Sequence, residues 1–323
     1  MSNHFNLYTP ENVGAVAVGL VNARLKLATV VGHYGPNDFK EGRGDTVFLN
    51  VPGALTAHSR TLDDTTNAIV IDSLTESQEP IQLDTHAYSA IGLSERDLAL
   101  NLMDFSSQVL MPQTDAVADK IENAIERVLA GVAPTVMPSA YSSSAPVKTF
   151  TAGRAALRAR GIDVADANLV AIVGSAVADN LLDSGDLDYA KTGAADALRS
   201  GSLGRIRGFE TIESGRIGED EIIFMTRAGI YLAHRAPAVS PGVAYGAISQ
   251  ADGMSLRYIR DYDSTYTKDR SVVSTFVGFG ILPLYRVERT QDAGTQGDSS
   301  YTAGSATITP VPGGAVVKFD TAA

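Results

Sequence analysis

Ser106–Gly131 reads SSQVLMPQTDAVADKIENAIERVLAG, and the rest of the chain is read outward from it. Val117, Ile121, Ala124, Ile125 and Val128 recur three or four residues apart, which gathers them on one stripe of an α-helix. Pro112 suits the first turn, where no amide donor is needed. Asp115 and Asp119 lie early and Arg127 late, complementing the helix dipole. Gly131 is the expected stop, with Pro134 soon after. From Pro112 to Ala130 such a helix is about 28 Å long, at about 1.5 Å per residue. Lys120, Glu122, Asn123 and Glu126 fall on the opposite face. The expectation is one long helix lying across a sheet, with much of its length near solvent or a neighbouring chain. An ordinary amphipathic helix of a globular enzyme is the reading this stretch leaves open.

Upstream, Leu93–Phe105 reads as a short helix with Ser94 as N-cap and Asp97 at its third position. Before it lies a strand signature: Val47, Leu49 and Val51 alternate with Phe48 and Asn50, and Pro52-Gly53 breaks the run. Strand-like runs return at Asn67–Asp72 and Ile81–Ala87, on either side of polar sequence. This predicts a long two- or three-stranded hairpin with a polar tip, which is marginal alone in water. The first 45 residues read as an extended arm with one weak helix around Val13–Leu27 and little core material; Gly14 and Gly19 weaken that helix.

Downstream, Ala133–Val147 is a Pro-, Ser- and Tyr-rich boundary loop, and an α/β pattern follows. Thr149–Arg160 reads as a helix closed by Gly161, Asn168–Val173 as a strand, and Ser175–Leu182 as a helix capped by Ser175. Asp183–Gly204 is polar and glycine-rich, with a brief helical piece near Ala194–Leu198. Strands are expected at Phe209–Ser214, Glu221–Thr226 and Gly229–His234. Met254–Tyr262 and Ser271–Phe279 flank a charged tip, Asp263–Arg270, and Ile281–Arg289 closes the main body. The tail after Gln291 holds strand-like sequence at Ala306–Phe319; an added strand and disorder are both open there.

Composition narrows the function. The 323 residues are 44% hydrophobic, enough for a real core. There is no cysteine, so no disulfide framework or thiolate metal site forms. A net charge of −11 argues against a chain that seeks nucleic acid, though not against a wall that faces it. The longest apolar runs, Val13–Val21 and Val272–Leu284, are too short to span a bilayer. His4, His33, His58, His86 and His234 are not paired at metal-ligand spacing. Asp183, Asp186 and Asp188 lack the glycine and distal glutamate of a calcium loop. Arg43-Gly44-Asp45 is read as a turn rather than an adhesion motif, and Gly278-Phe279-Gly280 has no following helix to make a nucleotide fingerprint. No nucleophile, base and orienter converge, so no enzymatic role, cofactor or metal is expected.

The order of parts is arm, exposed hairpin, long helix, compact α/β region, charged hairpin and tail. Two of these cannot bury their apolar faces within one chain, and neighbouring copies are the economical cover. Gly44-Asp45-Thr46-Val47 opening a hairpin, then Pro80–Ala87 and the Val109–Leu129 helix, resemble coat proteins of tailed double-stranded DNA bacteriophages. Phe150-x-x-Gly153-Arg154-Ala155-Ala156-Leu157 with Asn168–Val173 is similar to the start of their axial domain. Ala197–Phe209 is similar to their short helix, tight glycine turn and strand. The resemblance spans most of residues 40–290 and is nearest the coat proteins of the Salmonella phage type, which use a separate scaffold.

That resemblance implies an α+β, Hong Kong 97-type capsid fold. Residues 1–45 would be the N-terminal arm and 46–92 an extended loop on the adjacent subunit. Residues 93–145 and 250–277 would form the peripheral domain with its spine helix, 146–249 and 278–290 the axial domain, and 291–323 the tail. Arg60, Asp63, Asp64, Asp263, Lys268, Asp269 and Arg270 are the candidate inter-subunit contacts. The implied partners are further copies as hexamers and pentamers, a separate scaffolding protein, a portal, enclosed double-stranded DNA without sequence-specific binding and, optionally, a decoration protein. No membrane is involved; the chain would be made in the host cytoplasm and end in the virion shell. Residues 46–92 contain no lysine, so the isopeptide crosslink of some shells is not expected. A bacterial encapsulin, an α/β hydrolase or transferase with an insertion, and a tail or adhesion protein are the competing readings.

Overall fold

The spine predicted from Ser106–Gly131 forms. In the computed structural model, α2 (Met111–Ala130) is preceded by a π-helical turn, Ser106–Leu110. The wide turn has a local cause: a proline at 112 clashes with the carbonyl four residues back in a regular α-helix. Residues 9–35, 38–39, 45–51, 53–60, 62–63, 65–74, 76–94, 105–138, 140–165, 168–184, 203–251, 253–294, 296 and 301–322 are described. The helix stops at Ala130, but Gly131 keeps a right-handed φ of −70°, so it is not a left-handed cap. Val117, Ile121, Ile125 and Leu129 form the buried stripe, joined by Gln113, Thr114, Ala118 and Glu122. Gln113 donates to the Ser89 and Ser271 carbonyls at 3.2 and 2.9 Å, pinning the start of the helix to the sheet.

The arm expectation is corrected. Residues 10–34 are core. Pro10–Arg24 form α1, capped by Thr9, whose hydroxyl accepts from the Asn12 amide. Val13, Ala17, Val18 and Val21 are buried in the same cluster as the α2 stripe. Gly14 is the point of closest approach: a Cβ there would lie 2.4 Å from Ser249 Oγ. Apolar residues surround this helix, so no polar face marked which side would be covered. A 3-10 turn, Leu27–Val30, then leads into β1, Gly32–Tyr34.

The larger sheet lies beneath these helices. It contains β1, β4 (Thr85–Ser94), β9 (Ile230–Arg235), β10 (Tyr245–Ala251), β11 (Met254–Asp263) and β12 (Lys268–Ile281). β12 is its trunk: Lys268–Val277 pair with β4, Lys268–Ser274 with β11, and Phe276–Ile281 with β9. The Ile81–Ala87 run is therefore not one strand. It turns at Leu83-Asp84, separating β3 (Ser77–Gln82) from β4. β3 pairs only with β2, Thr46–Val51, and Asn67–Asp72 is not a strand. The sequence also gave no sign of β10, whose Gly, Ser and Gln content hides its period.

Gly278 explains a motif that had no chemistry. A Cβ on it would lie 1.8 Å from the Gln82 carbonyl oxygen, where the chain crosses β12 between β3 and β4. Gly278→Ala must displace backbone and is expected to destabilise by about 3 kcal/mol. Unchanged denaturation midpoints would show that the crossing is loosely packed.

The second sheet runs β15 (Val316–Asp320), β8 (Glu221–Thr226), β5 (Leu169–Val173), β7 (Phe209–Glu213) and β6 (Arg205–Ile206). Helices α3 (Val147–Ala159) and α4 (Ser175–Asp183) cover one face with a cluster that includes Phe150, Phe209, Phe224 and Phe319. Val170, Ile172, Ile223, Met225 and Val316 on the other face continue the α2 core. β5 is thus buried on both faces, as its unbroken apolar run requires. The N-cap of α4 is Gly174, not Ser175; a Cβ at 174 would meet the Gly218 oxygen at 2.1 Å. The turn between β6 and β7 uses Arg207 (φ 50°) and Gly208 (φ 91°), the backbone a tight hairpin needs.

The tail does not end in disorder. Val316, Val317 and Phe319 are fully buried, and the buried Lys318 ammonium pairs with Glu221 at 2.6 Å. Nor does Ile281–Arg289 close the main body: β13 (Leu284–Thr290) pairs only with β14 (Ser305–Val311). The expected helix Leu93–Phe105 and the piece at 194–198 lie almost wholly or wholly outside the described residues.

Candidate functional site

The β2–β3 hairpin and its loop leave several large apolar side chains exposed. Its two strands are joined by residues 53–76, which hold no regular strand among those described. Phe48, Leu55, Leu62, Ile69, Ile71 and Leu74 are exposed, Ile71 by 90%. The base is anchored by apolar contact, where Ile81 meets Phe39 and Ala233, with Val47 and Leu49 packed against them. Leaving a Leu, Ile or Phe uncovered forgoes about 1.5–3 kcal/mol each. Six such groups hold on the order of 10 kcal/mol per copy before association costs.

Polar groups hold the loop instead, and they reach the segment around β13 and β14. His58 lies between two carboxylates: Nδ1 is 2.8 Å from Asp292 Oδ1 and Nε2 is 2.9 Å from Asp72 Oδ1. Asp292 also accepts from the Ser59 and Gly304 amides, both at 2.8 Å, and Asp72 from the Thr56 amide at 3.2 Å. Hydrogen bonds to the two carboxylates hold the His58 pKa above its ordinary 6.5. Those amide donors and the imidazole hold Asp292 and Asp72 below the usual carboxylate range. Arg289 donates to the Leu55 carbonyl and Gln296 to the Ala68 carbonyl. No local signal announces this cluster, since Asp292 is 234 positions from His58.

The sequence-selected contact residues have mixed fates. Arg60 donates to the Asn67 carbonyl at 3.3 Å, Asp63 is exposed, and Asp64 lies outside the described residues. In the β11–β12 hairpin, Asp269 pairs with Arg260 at 2.5 Å and Arg270 with Asp261 through two bonds, 2.5 and 3.0 Å. Asp263 accepts from the Thr265 amide, and Lys268 is exposed. The charges at this tip are thus largely matched within the hairpin, leaving Tyr262 and Tyr266 exposed beside them. Partly exposed pairs of this kind are worth at most about 1 kcal/mol each.

Each of the other described histidines has a partner within the body. His86 stacks edge-on against Phe276 at 5.0 Å, His33 meets the Ala28 carbonyl, and His234 is buried beside Ser255. No group of three or more His, Asp or Glu side chains able to hold a metal occurs among the described residues. His4, Arg43, Gly44, Asp186 and Asp188 lie outside them. No described helix is long and apolar enough to cross a membrane.

No family model and no curated protein matches the sequence. Solved structures do match. A chain of Mycobacterium phage Che8 superposes with a TM-score of 0.61 at 14% identity, covering 92% of each chain. The capsid of the cyanophage P-SCSP1u gives 0.54 at 11% identity, over 78% of this chain and 86% of that one. The mature capsid of bacteriophage PhiM1 gives 0.51 at 11%, over 86% and 82%. The fold is the Hong Kong 97-type capsid fold. At these identities the likeness is one of architecture, and the Hong Kong 97-type arrangement accounts for an α+β body with a long helix across its sheet.

Proposed function

We propose that this chain is the major capsid protein of a tailed bacteriophage, forming the hexamers and pentamers of an icosahedral shell around packaged double-stranded DNA. The observation that carries the reading is the uncovered β2–β3 hairpin on a Hong Kong 97-type body. In this reading the hairpin and its loop lie on the adjacent subunit, where Phe48, Leu55, Leu62, Ile69, Ile71 and Leu74 lose water. Helix α2 is the spine of the peripheral domain, and the sheet around β5 belongs to the axial domain. Tyr262, Tyr266 and Lys268 at the β11–β12 tip meet other subunits at three-fold positions.

No catalytic role is proposed. A separate scaffolding protein and a portal complete the assembly, and a decoration protein is an optional addition. The net charge of −11 suits an inner wall that does not hold DNA by counterion release. Negative-stain microscopy and sedimentation of the purified chain test the reading. Capsomers or closed shells are expected. A stable monomer or dimer at high concentration, or fibres, would overturn it.

A further inference from the structure

The loop that this reading places between subunits carries one titratable tie to the segment after β13, the His58 imidazole. We propose that His58, clamped between Asp72 and Asp292, is a proton-operated latch that fixes residues 56–72 against the segment joining β13 and β14. Both ring nitrogens face carboxylate oxygens at 2.8 and 2.9 Å. A carboxylate only accepts, so both contacts are hydrogen bonds only when both nitrogens carry a proton. The latch is therefore made by the imidazolium. The neutral ring keeps one N–H and turns a lone pair on the other carboxylate.

The surroundings favour the charged ring from each side. Asp72 comes from the loop and Asp292 from the segment after β13. Tyr301 faces the same carboxylates, and burial and their negative charge hold its phenol protonated above the ordinary range. Arg60 donates to the Asn67 carbonyl and Arg289 to the Leu55 carbonyl. Asp292 is also fixed independently, by the Ser59 and Gly304 amides, so one side of the clamp is built before the proton arrives.

The direction follows from the two kinds of group. The His58 pKa is raised above 6.5, so its contribution is complete below that value and is lost as pH rises through the folded-state pKa. The carboxylates are depressed, so their contribution holds above 3.8 and fails only as pH falls through their folded-state values. The latch is closed below pH 6.5 and opens as pH rises through the raised His58 pKa. Opening removes the His58 tie from the stretch that carries exposed Leu62, Ile69 and Ile71 and leaves it the Ser59–Asp292 and Ala68–Gln296 bonds. Its consequence for assembly rests on the shell reading; the latch itself does not.

Hydrogen–deuterium exchange of the full-length protein tests it by two readouts. Exchange at the imidazole C2 position, read from a peptide holding only His58, should give a pKa above that of the same peptide unfolded. Amide exchange over residues 56–72, corrected for intrinsic base catalysis, should rise about tenfold or more between about pH 6 and about pH 9. His58→Gln should exchange fast at both. Asp292→Asn, which keeps an acceptor, should lower the His58 pKa and move opening to lower pH. A His58 pKa at or below the ordinary value, or corrected exchange flat with pH in the parent, overturns the latch. Particle size in the same samples separates the two ideas. Shells with a pH-flat loop overturn the latch and leave the capsid reading standing. Small oligomers with a pH-dependent loop support the latch and remove the capsid reading.

Discussion

Glu122→Ala is expected to release the N-terminal segment from the body and to cost about 4 kcal/mol. Glu122 is 2% exposed, on the face of α2 that meets the turn after α1. Its Oε1 accepts from the Lys26 amide at 2.8 Å and the Ala28 amide at 3.1 Å, and its Oε2 from the Leu27 amide at 3.1 Å. These are the leading donors of the 3-10 turn Leu27–Val30, which have no carbonyl behind them. Alanine removes both accepting oxygens and with them all three bonds. Leu27 and Ala28 are fully buried, so water does not replace the lost partners. Each buried donor left unpaired costs about 1–3 kcal/mol, and the total is a large share of a typical stability of about 5–15 kcal/mol.

Glu122→Gln keeps one accepting oxygen and should lose about half as much. Denaturant midpoints of dissociated subunits read the loss. Trypsin cleavage at Arg24 and Lys26 reads its location. Parent-like midpoints in Glu122→Ala would show that the turn is held by its apolar neighbours alone.

His234 gives the second large effect, and its sign is opposite to that of His58. The ring is 1% exposed, with Nδ1 3.1 Å from Ser255 Oγ. Burial, then repulsion from the His33 ring 6.1 Å away, lowers its pKa from 6.5 to about 4; a hydrogen bond with the Gly253 backbone and then Asp38 oppose this. The folded chain therefore refuses a proton that the unfolded chain accepts. Stability is complete above pH 6.5 and is lost as pH falls towards about 4. At about 1.4 kcal/mol per pH unit, the full loss is about 3 kcal/mol. His234→Gln removes this titration. Between about pH 7 and about pH 4.5 the variant should lose about 2–3 kcal/mol less than the parent. Equal losses would mean that the ring is protonated without resistance. Carboxylates contribute to both proteins alike, so the difference between them is the readout.

Legibility followed the kind of signal each element carried. β5 was read from an unbroken apolar run, and α3 from its spacing and from Gly161, whose φ is +88°. The β11–β12 hairpin was legible from two alternating strands about a charged tip, although its charges turned out to be matched inside the hairpin. Glu122 was assigned to the solvent side because a carboxylate on a helix usually is. Nothing near it in sequence shows that three amides lie 94 to 96 positions away. The β3–β4 turn was invisible because alternation passes through Leu83-Asp84 unbroken, and a period says nothing about which strand is paired with which.

Periodicity, breakers and composition set the helices, most of the strands and the absence of any cysteine chemistry, because these depend on neighbours a few residues apart. They also showed that the hairpin near residue 50 would be short of cover. Which apolar groups stay uncovered, that residues 10–34 belong to the core rather than to a free arm, and that His58 meets two distant aspartates were decided by the assembled fold. Those facts are pairings between positions tens to hundreds of residues apart, and only the packed chain brings such positions within the few ångströms over which hydrogen bonds and dispersion act.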